Sequence, residues 1–122
     1  MGLLDYMKCM DSADPTQALD QVAEDIQFVL VLPGNTVRGG SRQDFAGYIA
    51  GRNPSERVHN VVTHHRDGDV ELVYGIVTEQ GRSTGAFVSA ARLDQDGRIV
   101  RYHSSFDTEL LVAELPGTGQ PG

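Results

Sequence analysis

The stretch Gly97-Arg98-Ile99-Val100-Arg101-Tyr102-His103-Ser104-Ser105-Phe106-Asp107 follows a turn and alternates its side-chain character. A period of two marks a strand with one face on a core or cavity and the other towards solvent. Working back from it, residues 57–65, 69–79 and 82–93 read as three more strands, separated by short Asp/Gly or Gln/Gly turns. Asp67-Gly68 is the strongest hairpin signal among those turns. Strands joined so tightly predict an antiparallel meander that ends in the quoted segment.

Helical signals all lie earlier. Leu3, Met7 and Met10 recur at helical spacing, so residues 3–11 read as a short helix. Asp14 followed by Pro15 restarts it, with Ala18, Leu19 and Val22 as its buried stripe and Glu24-Asp25 closing its exposed side. Residues 26–32 form an apolar run broken by Pro33-Gly34-Asn35, and Thr36-Val37-Arg38 return from that turn as a hairpin. Ser41 and Asp44 resemble a capping box for a helix whose apolar side is Phe45, Tyr48 and Ile49, with Gly51 at its end. Helices first and strands after give an α+β class. Residues 108–115 read as a last helical turn, and the Gly/Pro-rich residues 116–122 as a flexible tail, leaving one domain over residues 1–115.

With 122 residues, 39% of them hydrophobic and 22% charged, the chain can bury one core or surround one small cavity. A net charge of −7 opposes binding to a phosphate backbone or an anionic lipid surface, so neither nucleic acid nor membrane is an expected partner. The arginines are scattered and Lys8 is the only lysine, so no basic patch is visible. The lone Cys9 excludes an internal disulfide and reads as a small buried group. Asp5 interrupts the first apolar run and no basic region precedes it, so a signal peptide is not expected and a cytoplasmic location is.

The layout resembles the nuclear transport factor 2-like superfamily, the SnoaL-like and ketosteroid isomerase-like branch in particular. Residues 6–14 look like its first-helix exit, Val37-Arg38-Gly39-Gly40 before Ser41 like its Arg-Gly hinge, and residues 97–107 like its closing strand. The resemblance implies a cone-shaped, curved antiparallel sheet wrapped round the N-terminal helices, of the cystatin-like type, with a ligand cavity between them. It also implies a homodimer through the outer sheet face. Tyr6 matches the isomerases' oxyanion-donating tyrosine, whereas their aspartate base falls at Leu30 and their second donor near Ser89. The epoxide hydrolases' Arg-x-Asp falls at about Gly75 and Val77, and their closing-strand acid at Ser104. Carboxylates are thus missing where the relatives use them.

Val100, Tyr102, Ser104 and Phe106 are then expected on the cavity face, together with Phe87, Ser89 and Ala91. Arg101, His103, Ser105 and Asp107 fall on the outer one. The ligand-binding set this implies is Tyr6, Phe28, Phe87, Ser89, Tyr102, Ser104 and Phe106. Among the histidines, His64 and His65 are adjacent in a strand and project to opposite faces. His103 and Asp107 share a face but lie about 13 Å apart at roughly 3.3 Å per residue, too far to chelate one ion. No metal is expected, and with neither nucleotide motif present no cofactor is either. His59 and His64 are the candidates, with Tyr6, for acid/base work in the cavity. Two functions follow: a module that binds a small, mostly apolar ligand without the family's carboxylate catalysis, or an isomerase, cyclase or hydrolase of small oxygenated compounds using a histidine.

Overall fold

The computed structural model describes residues 2–51 and 57–113. The four-strand meander is present as β3 (Arg57–Asp67), β4 (Val70–Glu79), β5 (Arg82–Leu93) and β6 (Ile99–Asp107), each antiparallel to the next. At the β3–β4 turn Gly68 has φ 61°, and at the β4–β5 turn Gln80 and Gly81 have φ 54° and 78°. These left-handed values give a two-residue loop the twist that flanking strands require. β1 (Val22–Leu32) lies on the far side of β6, and β2 (Asn35–Gly39) pairs antiparallel with β1 as a hairpin. The strand order is β2-β1-β6-β5-β4-β3.

The sheet is mixed, not wholly antiparallel, because β1 and β6 run parallel. Parallel neighbours need a long crossover, and everything from β2 to β5 lies between these two in the chain. The predicted second helix is also shorter than expected. Pro15–Gln21 winds as a 3₁₀ helix, with the Asp14 carboxylate accepting from Thr16 N at 3.2 Å. Only Ala18 of that helix is buried, while Val22, Glu24 and Asp25 belong to β1. Over residues 108–113 there is no helical turn. Asp107 Oδ2 accepts from the main-chain N of Glu109 and Leu110, which bends the chain, and Val112 N donates to the Tyr74 hydroxyl at 2.7 Å. The remainder of that expected turn and the tail at 116–122 lie outside the described residues.

Helix α1 (Leu3–Met10) buries Leu3, Tyr6, Met7 and Met10 along one face, the spacing of an amphipathic helix. No side chain of its own caps its start; Leu3 N donates instead to the Glu71 carboxylate on β4 at 3.2 Å. Helix α2 (Arg42–Ala50) is capped by Ser41 Oγ, which accepts from Asp44 N at 3.0 Å. Asp44 Oδ2 accepts from Gly40 N, one residue further back than a capping box would place it. Phe45 of α2 is fully buried and meets Phe28 edge-to-face at 4.8 Å and Tyr6 at 5.9 Å. Helices and sheet share this core on the inner sheet face. No helix among the described residues is long and apolar enough to cross a membrane.

Along β6 the alternation holds with one slip. Arg92 pairs with Arg101 and Leu93 with Ile99, so Val100 is an extra residue in a β-bulge. A bulge leaves one residue unopposed and shifts the parity behind it. Ile99, fully buried, therefore takes the core place expected for Val100, which is half-buried.

Candidate functional site

Between α1, α2 and the inner sheet face lies a cavity of about 80 Å³. Its floor is apolar, made by Met10, Leu30, Val77 and Phe87, and the half-buried Leu32, Tyr48 and Phe106 line it as well. Four polar side chains from three elements face it in addition to Arg57: Tyr6 of α1, His59 of β3, and Tyr102 and Ser104 of β6. A mostly apolar hollow with a few convergent polar groups is the usual form of a small-molecule site.

His59 is held there by Asp11, the residue that ends α1. One carboxylate oxygen accepts from the His59 main-chain N at 2.7 Å and the other meets Nδ1 at 2.5 Å. Both side chains are largely buried, at 22% exposure for His59 and 16% for Asp11. The His59 ring also rests edge-on against Phe87 at 5.1 Å. An ionised carboxylate can only accept, so Nδ1 carries the proton and the neutral ring has its lone pair on Nε2. No described residue bonds that Nε2. A carboxylate behind a histidine fixes the tautomer and stabilises the imidazolium that forms when Nε2 takes a proton.

The second polar group is a chain of hydroxyls. Ser89 Oγ lies 2.9 Å from Ser104 Oγ and 3.4 Å from the Tyr102 hydroxyl. The Tyr6 ring stands edge-on to Tyr102 at 5.2 Å. Burial pushes the Tyr102 phenol up from its ordinary value of 10.0, while hydrogen bonds from Ser89, Ser104 and Tyr6 pull the other way. The phenol is therefore protonated at neutral pH and available as a donor to oxygen.

Of the residues singled out from the sequence, Tyr6, His59, Phe87, Tyr102, Ser104 and Phe106 line this cavity. Ser89 is fully buried behind Ser104 and Tyr102. Phe28 is buried against Phe45, its ring lying over Gly39. His64 is elsewhere: its Nε2 meets Glu71 Oε2 at 2.7 Å. Glu71 is almost completely buried and also holds the start of α1, so this pair ties the helix to the sheet. Leu30, Val77 and Ser104, where the resemblance places carboxylates, all line the cavity and none of them is an acid. No three described His, Cys, Asp or Glu side chains converge to hold a metal ion.

Asp11 is the residue that sequence reading passed over. It looks like a helix exit, and 48 residues separate it from His59. The available signal was weak: an acid one step beyond Met10, the last buried position of α1.

No protein-family profile matches the sequence, and no curated protein does. Solved structures do. A candidate isomerase of the SnoaL-like family from Agrobacterium tumefaciens superposes with a TM-score of 0.68 at 17% identity, over 85% of this chain and 92% of that one. IdmH of Streptomyces antibioticus, a candidate polyketide cyclase, gives 0.65 at 17% identity over 84% and 86%. A nuclear transport factor 2-like protein of unknown function from Cytophaga hutchinsonii gives 0.64 at 14% identity over 85% of each. The chain has the nuclear transport factor 2-like fold, an α+β architecture with a curved sheet.

Proposed function

We propose that this chain, on its nuclear transport factor 2-like fold, abstracts a proton next to a carbonyl or similar oxygen-bearing group of a small substrate. His59 is the base, Asp11 its positioning residue, and Tyr102 with Tyr6 the donors to the oxygen on which charge develops. The observation that carries this reading is the Asp11–His59 pair, buried at the wall of the cavity that also holds the two tyrosines. It supplies a proton acceptor where the relatives' carboxylates are missing. The structural neighbours described as a candidate isomerase and a candidate polyketide cyclase are compatible with this reading.

Size limits the substrate. At about 80 Å³ the cavity has roughly half the volume of an engineered cavity that accepts benzene, about 150 Å³. The reacting head of the ligand fits inside, and anything larger extends past the half-buried Leu32, Tyr48 and Phe106.

The test needs no known substrate. A panel of small ketones and aldehydes in D₂O is followed by NMR for exchange of hydrogen α to the carbonyl. Wild-type protein accelerates exchange of at least one member, and His59→Gln and Asp11→Asn reduce that rate by about a hundredfold. Exchange that is equal in His59→Gln removes His59 as the base. The second reading, binding without turnover, is favoured by the neutral Leu30, Val77 and Ser104. Its signature is ligand-induced thermal stabilisation with no exchange above buffer.

A further inference from the structure

The register of the sheet assembles a feature that the linear sequence scatters. On the outer face Arg92 of β5 stands directly opposite Arg101 of β6. His103 follows two residues along β6 on the same face, and it pairs through Val29 of β1 to Arg38 of β2. All four line one open groove of about 870 Å³, on the opposite side of the sheet from the His59 cavity. Gly39 and Gly40 contribute no side chains to it, and Val29 and Ala90 give it an apolar floor.

Two arginines directly across a strand pair repel one another, and the groove offers little to offset this. Arg92 has one exposed carboxylate, Asp69, at 3.7 Å. No hydrogen bond or ion pair joins Arg38, Arg101 or His103 to another described side chain. Three arginines and a histidine from three strands thus face one hollow in a chain whose net charge is −7. Guanidinium forks match oxyanions bidentately. The overall negative charge disfavours a long phosphate backbone or an anionic membrane, whereas a compact ion meets chiefly the local field.

We propose that this groove binds a compact, multiply charged oxyanion, with Arg92 and Arg101 holding one charged group and Arg38 and His103 a second, and with Val29 and Ala90 under the organic part that joins them. The site is separate from the proton-transfer cavity and does not depend on it.

Pyrophosphate and citrate serve as probes in isothermal titration at low ionic strength, with Arg82→Ser as a control for loss of one charge elsewhere. Saturable one-to-one binding is expected, weakened about tenfold or more by Arg101→Ser and by Arg38→Ser and unchanged in His59→Gln. A preference for pyrophosphate assigns a phosphate-bearing ligand, and one for citrate a polycarboxylate. Without a probe, Arg101→Ser raises the melting temperature, because it removes the opposed charge, and the probe no longer raises it further. Absence of saturable binding at millimolar probe, or equal loss in Arg82→Ser, overturns the proposal. So does a dimer in sedimentation velocity that Arg101→Ser dissociates while neither probe binds, since the groove would then receive a second copy of the chain.

Discussion

Replacing Asp11 by Asn isolates the pair on which the proposed chemistry rests. The substitution keeps the shape of the side chain and one carbonyl oxygen, but it turns the other oxygen into an NH₂ group. The carboxylate now accepts from two donors, the His59 main-chain N at 2.7 Å and Nδ1 at 2.5 Å. An amide oxygen can accept from only one of them, so its NH₂ group faces Nδ1 comfortably only once the ring has given up the proton there. Hydrogen bonds to a charged group contribute about 1.5–3 kcal/mol each, and both partners here are mostly buried. The expected loss of stability is about 2–3 kcal/mol, which moves the urea midpoint down by roughly 1–2 M for a domain of this size. Long-range ¹⁵N–¹H correlation of the imidazoles reads the same change directly. In the wild type the neutral His59 ring carries its proton on Nδ1, and in the variant the proton moves to Nε2. A double-mutant cycle with His59→Gln should return a coupling of about 1–3 kcal/mol. A midpoint within about 0.3 M of wild type, together with an unchanged tautomer, would show that Asp11 does not hold His59.

Three further outcomes follow from the same geometry. Glu71→Ala removes the acceptor for Leu3 N and the partner of His64; it should cost about 3 kcal/mol and speed proteolysis within α1, as read by urea melts and timed digestion. Tyr102 is raised above 10.0 by burial, so the native state holds its proton over a range where the unfolded chain has lost it. Stability is therefore full below about pH 10 and falls as pH rises from there through the folded value, by at most about 1.4 kcal/mol per pH unit. Alkaline melts of Tyr102→Phe should lack that slope, and an identical slope in the variant would assign it to another group. At Gly75 an added Cβ would lie 2.5 Å from both Asn60 O and the Phe87 ring. Gly75→Ala should consequently lower stability by about 1–3 kcal/mol and push Phe87 into the cavity, abolishing ligand-induced stabilisation.

Much of this was legible in the sequence because it is local. The period of two along residues 97–107, the Asp67-Gly68 turn and the Ser41 cap each specify their own neighbourhood, and the strands fall where they point. What escaped depends on partners. Val100 reads as an inward residue by parity alone, and only the mismatch between β5 and β6 at Arg92–Leu93 makes it the extra one. The parallel pairing of β1 with β6 is a choice among sheet edges that no single segment encodes. Val22 fits the spacing of a helical stripe but enters β1, the setting that a β-branched side chain favours. Asp11 with His59, and Arg38 with Arg92 and Arg101, come together only through tertiary register. The site was half readable for the same reason: its strand residues follow alternation, and its acid does not.

The two histidine–carboxylate pairs also bear on the order in which the chain assembles. Both histidines belong to β3, an edge strand of the sheet. The Asp11–His59 bond fastens the end of α1, and Glu71, which binds His64, fastens its start. These anchors bridge 48 and 68 residues of chain. Loops of that length close slowly and only once both ends are in place. Helix α1 therefore precedes its anchors in the chain but docks after them, once the β3–β4 hairpin exists to receive it. Until then the apolar side of α1 and the inner face of β3 remain open to solvent and to other chains.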